Sequence, residues 1–176
     1  MLKQLVVASS LIIVSGCDDN VKPKQSKAAV QPYQLTTLEH YQHQANNLLR
    51  SIRVQKDAAN LETQSADLVA LSQTILNDLI VDYPQCAEYI NALIAVADLL
   101  PSLPLEEIES GYHSDGKLPK FDDPICYHGK DLLVHPATVQ AVARLGFVDP
   151  QAYEYAELEI IEVIAHFDQV EQALNK

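Results

Sequence analysis

The residue types that can do chemistry are densest in one stretch of the chain, "FDDPICYHGKDLLVH", which covers residues 121–135. Imidazole and carboxylate groups together are ligands for zinc, copper and iron. His113 and His128 are therefore candidate metal ligands, and nearby positions supply further donors: Asp115, Asp122, Asp123, Asp131 and His135. None of the spacings is diagnostic of a metal motif, so a loop that needs a covalent restraint is the alternative interpretation.

Two Tyr-His dipeptides give the same region a second interpretation. They are Tyr112–His113 and Tyr127–His128. A tyrosine ring combines an apolar body with a polar tip, and tyrosine is enriched at protein interfaces. These four residues are therefore candidate binding residues for a protein partner. Alternatively, the rings cover one end of the helical core.

The familiar signatures of catalysis are missing from the sequence. It has no glycine-rich phosphate loop, no nucleophile elbow, no His-Glu-x-x-His and no Cys-x-x-Cys. Cys126 lacks the earlier cysteine that c-type haem attachment requires. His40 and His43, three residues apart in a predicted helix, are a further candidate ligand pair and otherwise surface residues. We therefore expect no catalytic residue and no cofactor, with metal or haem binding through His113 and His128 as the alternative.

The chain begins with a segment typical of exported proteins. Lys3 precedes an apolar run of ten residues, 5–14, which is too short to cross a bilayer as a helix. Small residues and a cysteine follow, in the order Val-Ser-Gly-Cys17. Here the sequence resembles a bacterial lipoprotein precursor, whose lipobox ends in small residues and a cysteine. The resemblance covers residues 1–17 and implies export, cleavage before Cys17 and acylation of Cys17 with chains such as palmitate.

This resemblance and the composition together divide the chain into three parts. Residues 1–16 are expected to be the removed signal peptide, residues 17–34 a lipidated N-terminus and flexible tether, and residues 35–176 a single domain. In lipoproteins of Gram-negative bacteria, an aspartate after the lipidated cysteine favours the inner membrane, and Asp18 fits that pattern. The domain would then face the periplasm, with the outer membrane as the alternative location.

The chain is strongly acidic, with a formal net charge of −12. Residues 1–30 contain four lysines and two aspartates, so the rest of the chain carries −14. This charge argues against nucleic acid as a partner. We expect the membrane as one partner, reached through the N-terminal lipid, and an unidentified protein of the cell envelope as another.

Acylation of Cys17 would leave Cys86 and Cys126 as an even pair in an oxidising compartment. We therefore predict a disulfide bond between them. On the chain-entropy model, closing a loop of this length stabilises the fold by about 4 kcal/mol. Two free thiols, or half of a metal site, are the alternatives.

Most of the sequence after the tether has the pattern of α-helices. A capping box occupies residues 36–39, and apolar residues recur at three- and four-residue spacings. We expect a break at residues 57–62, with Asn60 in a left-handed conformation. A third helix is predicted over residues 84–100, because a proline opens it and another ends it.

Two further helices are predicted near the C-terminus, one over residues 136–145 and one from Pro150 to about Asn175. On the last helix, Glu162 is assigned to a solvated face and His166 to partly buried structure. Both assignments follow from the apolar stripe along that helix.

The segment 111–134 has glycines, prolines and no sustained periodicity, which predicts a long loop that Cys126 ties down. The expected fold is therefore all-α: an antiparallel helical bundle of about four main helices with one long disulfide-tethered loop. The expected function is that of a lipid-anchored cell-envelope protein, a non-catalytic binding or accessory module that acts through residues 111–135.

Overall fold

The computed structural model describes residues 36–175, and within this range the chain is helical and contains no strand. Six α-helices lie in it: α1 (Thr37–Arg53), α2 (Ala58–Asp82), α3 (Ala87–Ile94), α4 (Leu105–Ile108), α5 (Pro124–Leu145) and α6 (Pro150–Leu174). The prediction of an all-α fold is therefore confirmed. The expected signal peptide, Cys17 and the tether lie outside the described residues. None of the helices in this range combines the length and apolar character needed to cross a bilayer.

Side-chain caps define the connection between α1 and α2. The predicted capping box at Thr36 is present, and Asp57 caps α2 by accepting a hydrogen bond from the backbone N–H of Asn60. The break therefore lies at residues 54–57, just before the predicted position. Gln55 has the left-handed backbone, with φ of 51°. The prediction for Asn60 was wrong because its N–H belongs to the first turn of α2.

The third predicted helix starts where expected but ends early. Residues Pro84–Cys86 form a 3-10 turn, and α3 follows directly. After α3 the chain makes turns up to a second 3-10 turn, Leu100–Ser102, which contains Pro101. Between α3 and this turn most backbone hydrogen bonds are of the tighter i→i+3 type, and they replace the expected last turns of the helix.

The largest difference from the expected fold concerns residues 111–135. The first of them complete a short π-helical turn, Glu109–His113, and residues 124–135 belong to α5. Asp123 caps α5 with its side chain, and Pro124 occupies the first turn, where its missing N–H costs nothing. The prediction of one long loop was therefore wrong in extent, although an irregular segment does precede α5.

Pro136 lies inside α5. The prediction that it starts a helix was therefore wrong. A proline in a helix interior leaves the carbonyl of residue i−4 without its usual donor. That carbonyl belongs to Leu132, and it accepts a hydrogen bond of 2.6 Å from the Tyr41 hydroxyl. Since Tyr41 is fully buried on α1, one helix supplies the donor that another lacks.

α5 is the most enclosed element, with every residue from 129 to 143 buried. It packs against α2 and α6, and α1 packs against the same two helices. Gly129 permits the close approach of α5 to α2, because a Cβ there would lie 2.6 Å from Leu79 Cδ2. These four long helices surround one hydrophobic core, while the antiparallel bundle stays a prediction.

Cys86 and Cys126 form a disulfide bond, as predicted. The bond joins the turn before α3 to the first turn of α5, and both cysteines are fully buried. It therefore fixes the start of α5, the helix that carries most of the chemistry-bearing residues.

Candidate functional site

Two carboxylate–histidine pairs with the same spacing lie on α5 and α6. Asp131 and His135 are four residues apart on α5, and Glu162 and His166 are four residues apart on α6. Residues at i and i+4 lie on the same face of a helix. Because α5 packs against α6, the two pairs meet between the helices.

The donor atoms of these side chains approach one another closely. His166 Nε2 lies 3.2 Å from Asp131 Oδ2. His135 Nε2 lies 3.7 Å from Asp131 Oδ1 and 3.4 Å from Glu162 Oε2. Asp131, His135 and His166 each offer one donor atom within 4.8 Å of the others. We refer to Asp131, His135, Glu162 and His166 as the α5–α6 site.

A buried carboxylate fixes the ring of His135. Its Nδ1 is hydrogen-bonded to Glu159 Oε2 at 2.7 Å, and Glu159 is buried. An ionised carboxylate only accepts hydrogen bonds, so Nδ1 carries a proton and Nε2 is the nitrogen that faces the α5–α6 site. Carboxylates in this position are typical outer partners of metal-bound histidines.

His166 has an outer partner as well. Its Nδ1 lies 2.8 Å from Nδ1 of His128. One of the two nitrogens must donate and the other must accept. When His166 donates, its Nε2 is left as a lone pair that faces Asp131.

Lys130 is the outer partner of Asp131. It is fully buried, and its Nζ donates to the carbonyl of His113 at 2.8 Å and to Asp115 Oδ1 at 3.2 Å. The same Nζ lies 3.3 Å from Asp131 Oδ1. The other oxygen, Oδ2, is buried without a hydrogen-bond partner although His166 Nε2 is near. An unsatisfied buried oxygen calls for an explanation, and this one faces into the α5–α6 site.

Burial keeps two of the histidines neutral. Desolvation lowers the pKa of His166 below its ordinary value of 6.5, with the nearby Asp131 opposing this and the neighbouring histidines reinforcing it. Desolvation likewise lowers the pKa of His113. A neutral imidazole has one nitrogen with a lone pair, which is the form that binds a metal ion.

A second group of donors shares His135 with the α5–α6 site. His113 Nε2 lies 3.7 Å from Glu159 Oε2, and the His113 ring meets the His135 ring edge to face at a centroid distance of 4.7 Å. These three residues again offer one donor atom each within 4.8 Å. His113 Nε2 also lies 3.0 Å from the Thr138 hydroxyl. We refer to His113, His135 and Glu159 as the Glu159 triad.

The α5–α6 site is closed at its floor and open on one side. The side chain of Asp131 is 1% exposed, that of His166 is 17% exposed and that of Glu162 is 60% exposed. An ion can therefore enter past Glu162 and reach ligands that are shielded from water.

The structure separates the two histidines that the sequence singled out as metal ligands. His113 belongs to the Glu159 triad, whereas His128 lies behind His166 as its hydrogen-bond partner. The two Tyr-His pairs also differ in exposure, because Tyr112 is buried and Tyr127 is partly exposed.

The other predicted donors lie apart from both groups. Asp122 is exposed, and Asp123 caps α5 and accepts a hydrogen bond from Gln85. His40 and His43 are exposed on α1, where each is hydrogen-bonded to the amide side chain four residues later.

Sequence reasoning missed the contribution of α6. Glu162 was assigned to a solvated face, and Glu159 was not considered as a donor. The available signal was a pair of i, i+4 carboxylate–histidine spacings, one in residues 131–135 and one in residues 162–166. The first of these was hidden because its segment had been interpreted as a loop.

A function for this chain is inferred from the geometry of these residues, because comparisons with known proteins gave no match. No protein-family model matches the chain, and neither a curated protein nor a solved structure shows significant similarity to it.

Proposed function

We propose that the chain is a lipid-anchored protein of the bacterial cell envelope whose helical domain binds a divalent transition-metal ion at the α5–α6 site. Two imidazoles and two carboxylates suit zinc, copper and iron. The role is one of binding, and no catalytic residue is assigned. The anchor rests on the resemblance of residues 1–17 to lipoprotein precursors, with Cys17 as the acylated residue and the domain facing the periplasm.

The convergence of two i, i+4 pairs carries the metal-binding proposal. Ligands bonded to zinc at about 2.0–2.1 Å in a tetrahedron lie about 3.3–3.4 Å from one another. The three measured separations are 3.2 Å, 3.4 Å and 3.7 Å. They lie close to the edge of that tetrahedron. Asp131 presents Oδ2 to His166 and Oδ1 to His135, so its carboxylate must rotate to direct one oxygen at the ion.

The outer partners support the same interpretation. Each enclosed ligand contacts one group that orients it: Glu159 for His135, His128 for His166 and Lys130 for Asp131. Outer partners of this kind fix the tautomer and the direction of metal ligands. A chance meeting of surface charges provides no such ordered second layer.

Charge provides a third argument. Two carboxylates, Asp131 and Glu159, are buried, and Lys130 is the one buried lysine or arginine among residues 36–175. Buried charge is costly unless it is compensated. A divalent cation bound here adds positive charge beside Asp131 and Glu159 to that of Lys130.

Titration of the full chain tests the proposal. The chain is purified in detergent without a histidine tag, stripped with a chelator and titrated with zinc against a chromophoric competitor. We expect His135→Gln and His166→Gln to weaken zinc binding by about 100-fold or more, because each removes a direct ligand whereas loss of an outer partner costs about 10–100-fold.

The double variant His40→Gln, His43→Gln is the matched control, because it removes two exposed histidines from α1. Circular dichroism checks that every variant keeps its helices. Zinc binding that is equally strong in the control and in the site variants would overturn the proposed metal site.

A further inference from the structure

The two groups of donors lie on opposite nitrogens of one imidazole ring. His135 directs Nε2 toward Asp131 and Glu162, and it directs Nδ1 toward Glu159. An ion at the α5–α6 site therefore leaves the Nδ1 side of the ring unchanged. His113 lies on that side, and it is not a ligand of the first ion.

Glu159 makes the Nδ1 side unusual. It is buried, and its ion-pair partners within residues 36–175 are two histidines, His113 and His135, with no lysine or arginine among them. Lys130 already forms ion pairs with Asp115 and Asp131. A buried carboxylate without a permanently charged partner favours a bound cation.

We propose that a second divalent transition-metal ion binds between His113 Nε2, His135 Nδ1 and Glu159 Oε2, so that the ring of His135 bridges two ions. The proposal rests on the proposed function, because it needs the first ion at the α5–α6 site. Binding of the second ion displaces the Nδ1 proton of His135, which leaves to solvent, and the ring becomes an imidazolate.

The geometry requires two adjustments. The distance from His113 Nε2 to Glu159 Oε2, 3.7 Å, already allows both atoms to bind one ion. The distance from His135 Nδ1 to Glu159 Oε2 is 2.7 Å and must widen to about 3.3 Å. The Thr138 hydroxyl donates to the carbonyl of Val134, so its oxygen accepts a hydrogen bond from His113 Nε2. An ion at this position therefore also requires the other tautomer of His113, with the proton on Nδ1.

Charge balance allows a second ion. Four carboxylates face Lys130 and the histidines: Asp115, Asp131, Glu159 and Glu162. One divalent ion leaves these groups with a summed charge of −1, and a second ion together with the imidazolate form of His135 brings the sum to zero. Glu162 is 60% exposed, so water screens its part of this charge.

Zinc stoichiometry of the full chain tests this inference. We expect two zinc ions per chain in the native sequence, one in His113→Gln and two in the control His40→Gln. A single ion in the native chain would overturn the second site and leave the proposed function standing. No bound ion would overturn both, and two ions in a folded His113→Gln chain would place the second ion elsewhere.

Copper(II) gives a measurement that does not depend on a variant folding. Two copper ions joined by one imidazolate couple magnetically, so the ordinary electron paramagnetic resonance signal of isolated copper should be lost when the second equivalent is added to the native chain. A signal that doubles without loss would contradict the bridging role of His135.

Discussion

At the residue scale, the account depends on Glu159, whose carboxylate oxygen Oε2 lies 2.7 Å from Nδ1 of His135 and accepts its proton in a hydrogen bond. Replacing it with glutamine keeps the size of the side chain but removes the charge that orients the ring. We expect Glu159→Gln to weaken binding of the first zinc ion by about 10–100-fold. A competition titration measures this, with the exposed Glu154→Gln on the same helix as control. Equal affinity in the two variants would mean that Glu159 does not orient the ligand.

The buried histidines also predict a pH dependence. Because the pKa values of His113 and His166 are lowered in the folded chain, the unfolded chain binds more protons once the pH falls below about 6.5. The free energy of unfolding of the chelator-stripped protein should therefore decrease from about pH 7 to about pH 5.5. Denaturant titrations measure this, and His166→Gln should reduce the slope. A constant or rising stability over that range would contradict the neutral state of these rings.

At the scale of elements, α5 keeps its helix through Pro136 because α1 supplies a hydrogen bond. Tyr41→Phe would leave the carbonyl of Leu132 buried without a donor, at a cost of about 1–3 kcal/mol. In a Pro136→Ala chain the helix regains its own N–H donor, so the same substitution should cost less there. A double-mutant cycle by denaturant unfolding measures the difference. Equal costs in the two chains would show that the Tyr41 hydroxyl does not compensate for the proline.

The same element shows what sequence can and cannot predict. Local signals placed the cap of α1 and the start of α6 at Pro150 correctly, because the cap residues, Thr36 and Asp149, each accept a hydrogen bond from a backbone N–H three positions later. The extent of α5 was missed because the group that makes Pro136 tolerable lies on α1, far away in sequence. Local patterns contain no information about such a long-range hydrogen bond.

The candidate site also depends on contacts between residues that are far apart in the sequence. The i, i+4 spacing of Glu162 and His166 was visible in the sequence, but a charged residue on an amphipathic helix is usually solvated. Which face of α6 meets α5 depends on packing across the whole core. In contrast, setting Cys17 aside as the expected acylated residue left two cysteines, which was sufficient to predict the Cys86–Cys126 bond.

At the scale of the whole molecule, that disulfide bond connects the turn before α3 with the start of α5. The double variant Cys86→Ser, Cys126→Ser should lower the free energy of unfolding by about 2–5 kcal/mol, because the unfolded chain loses the constraint of the closed loop. Denaturant unfolding measures this. The reduced native chain should unfold at a denaturant midpoint similar to that of the double variant. If both midpoints equal that of the oxidised native chain, the bond does not stabilise the fold.

The central claim is that the helical domain holds a metal ion between α5 and α6. Elemental analysis of the full chain, purified from membranes without a histidine tag and without chelators, tests it most directly. We predict at least one zinc, copper or iron ion per chain, with His135→Gln and His166→Gln chains depleted and the His40→Gln, His43→Gln chain unchanged. A metal-free native chain that also gains no thermal stability on titration with these ions would contradict the account.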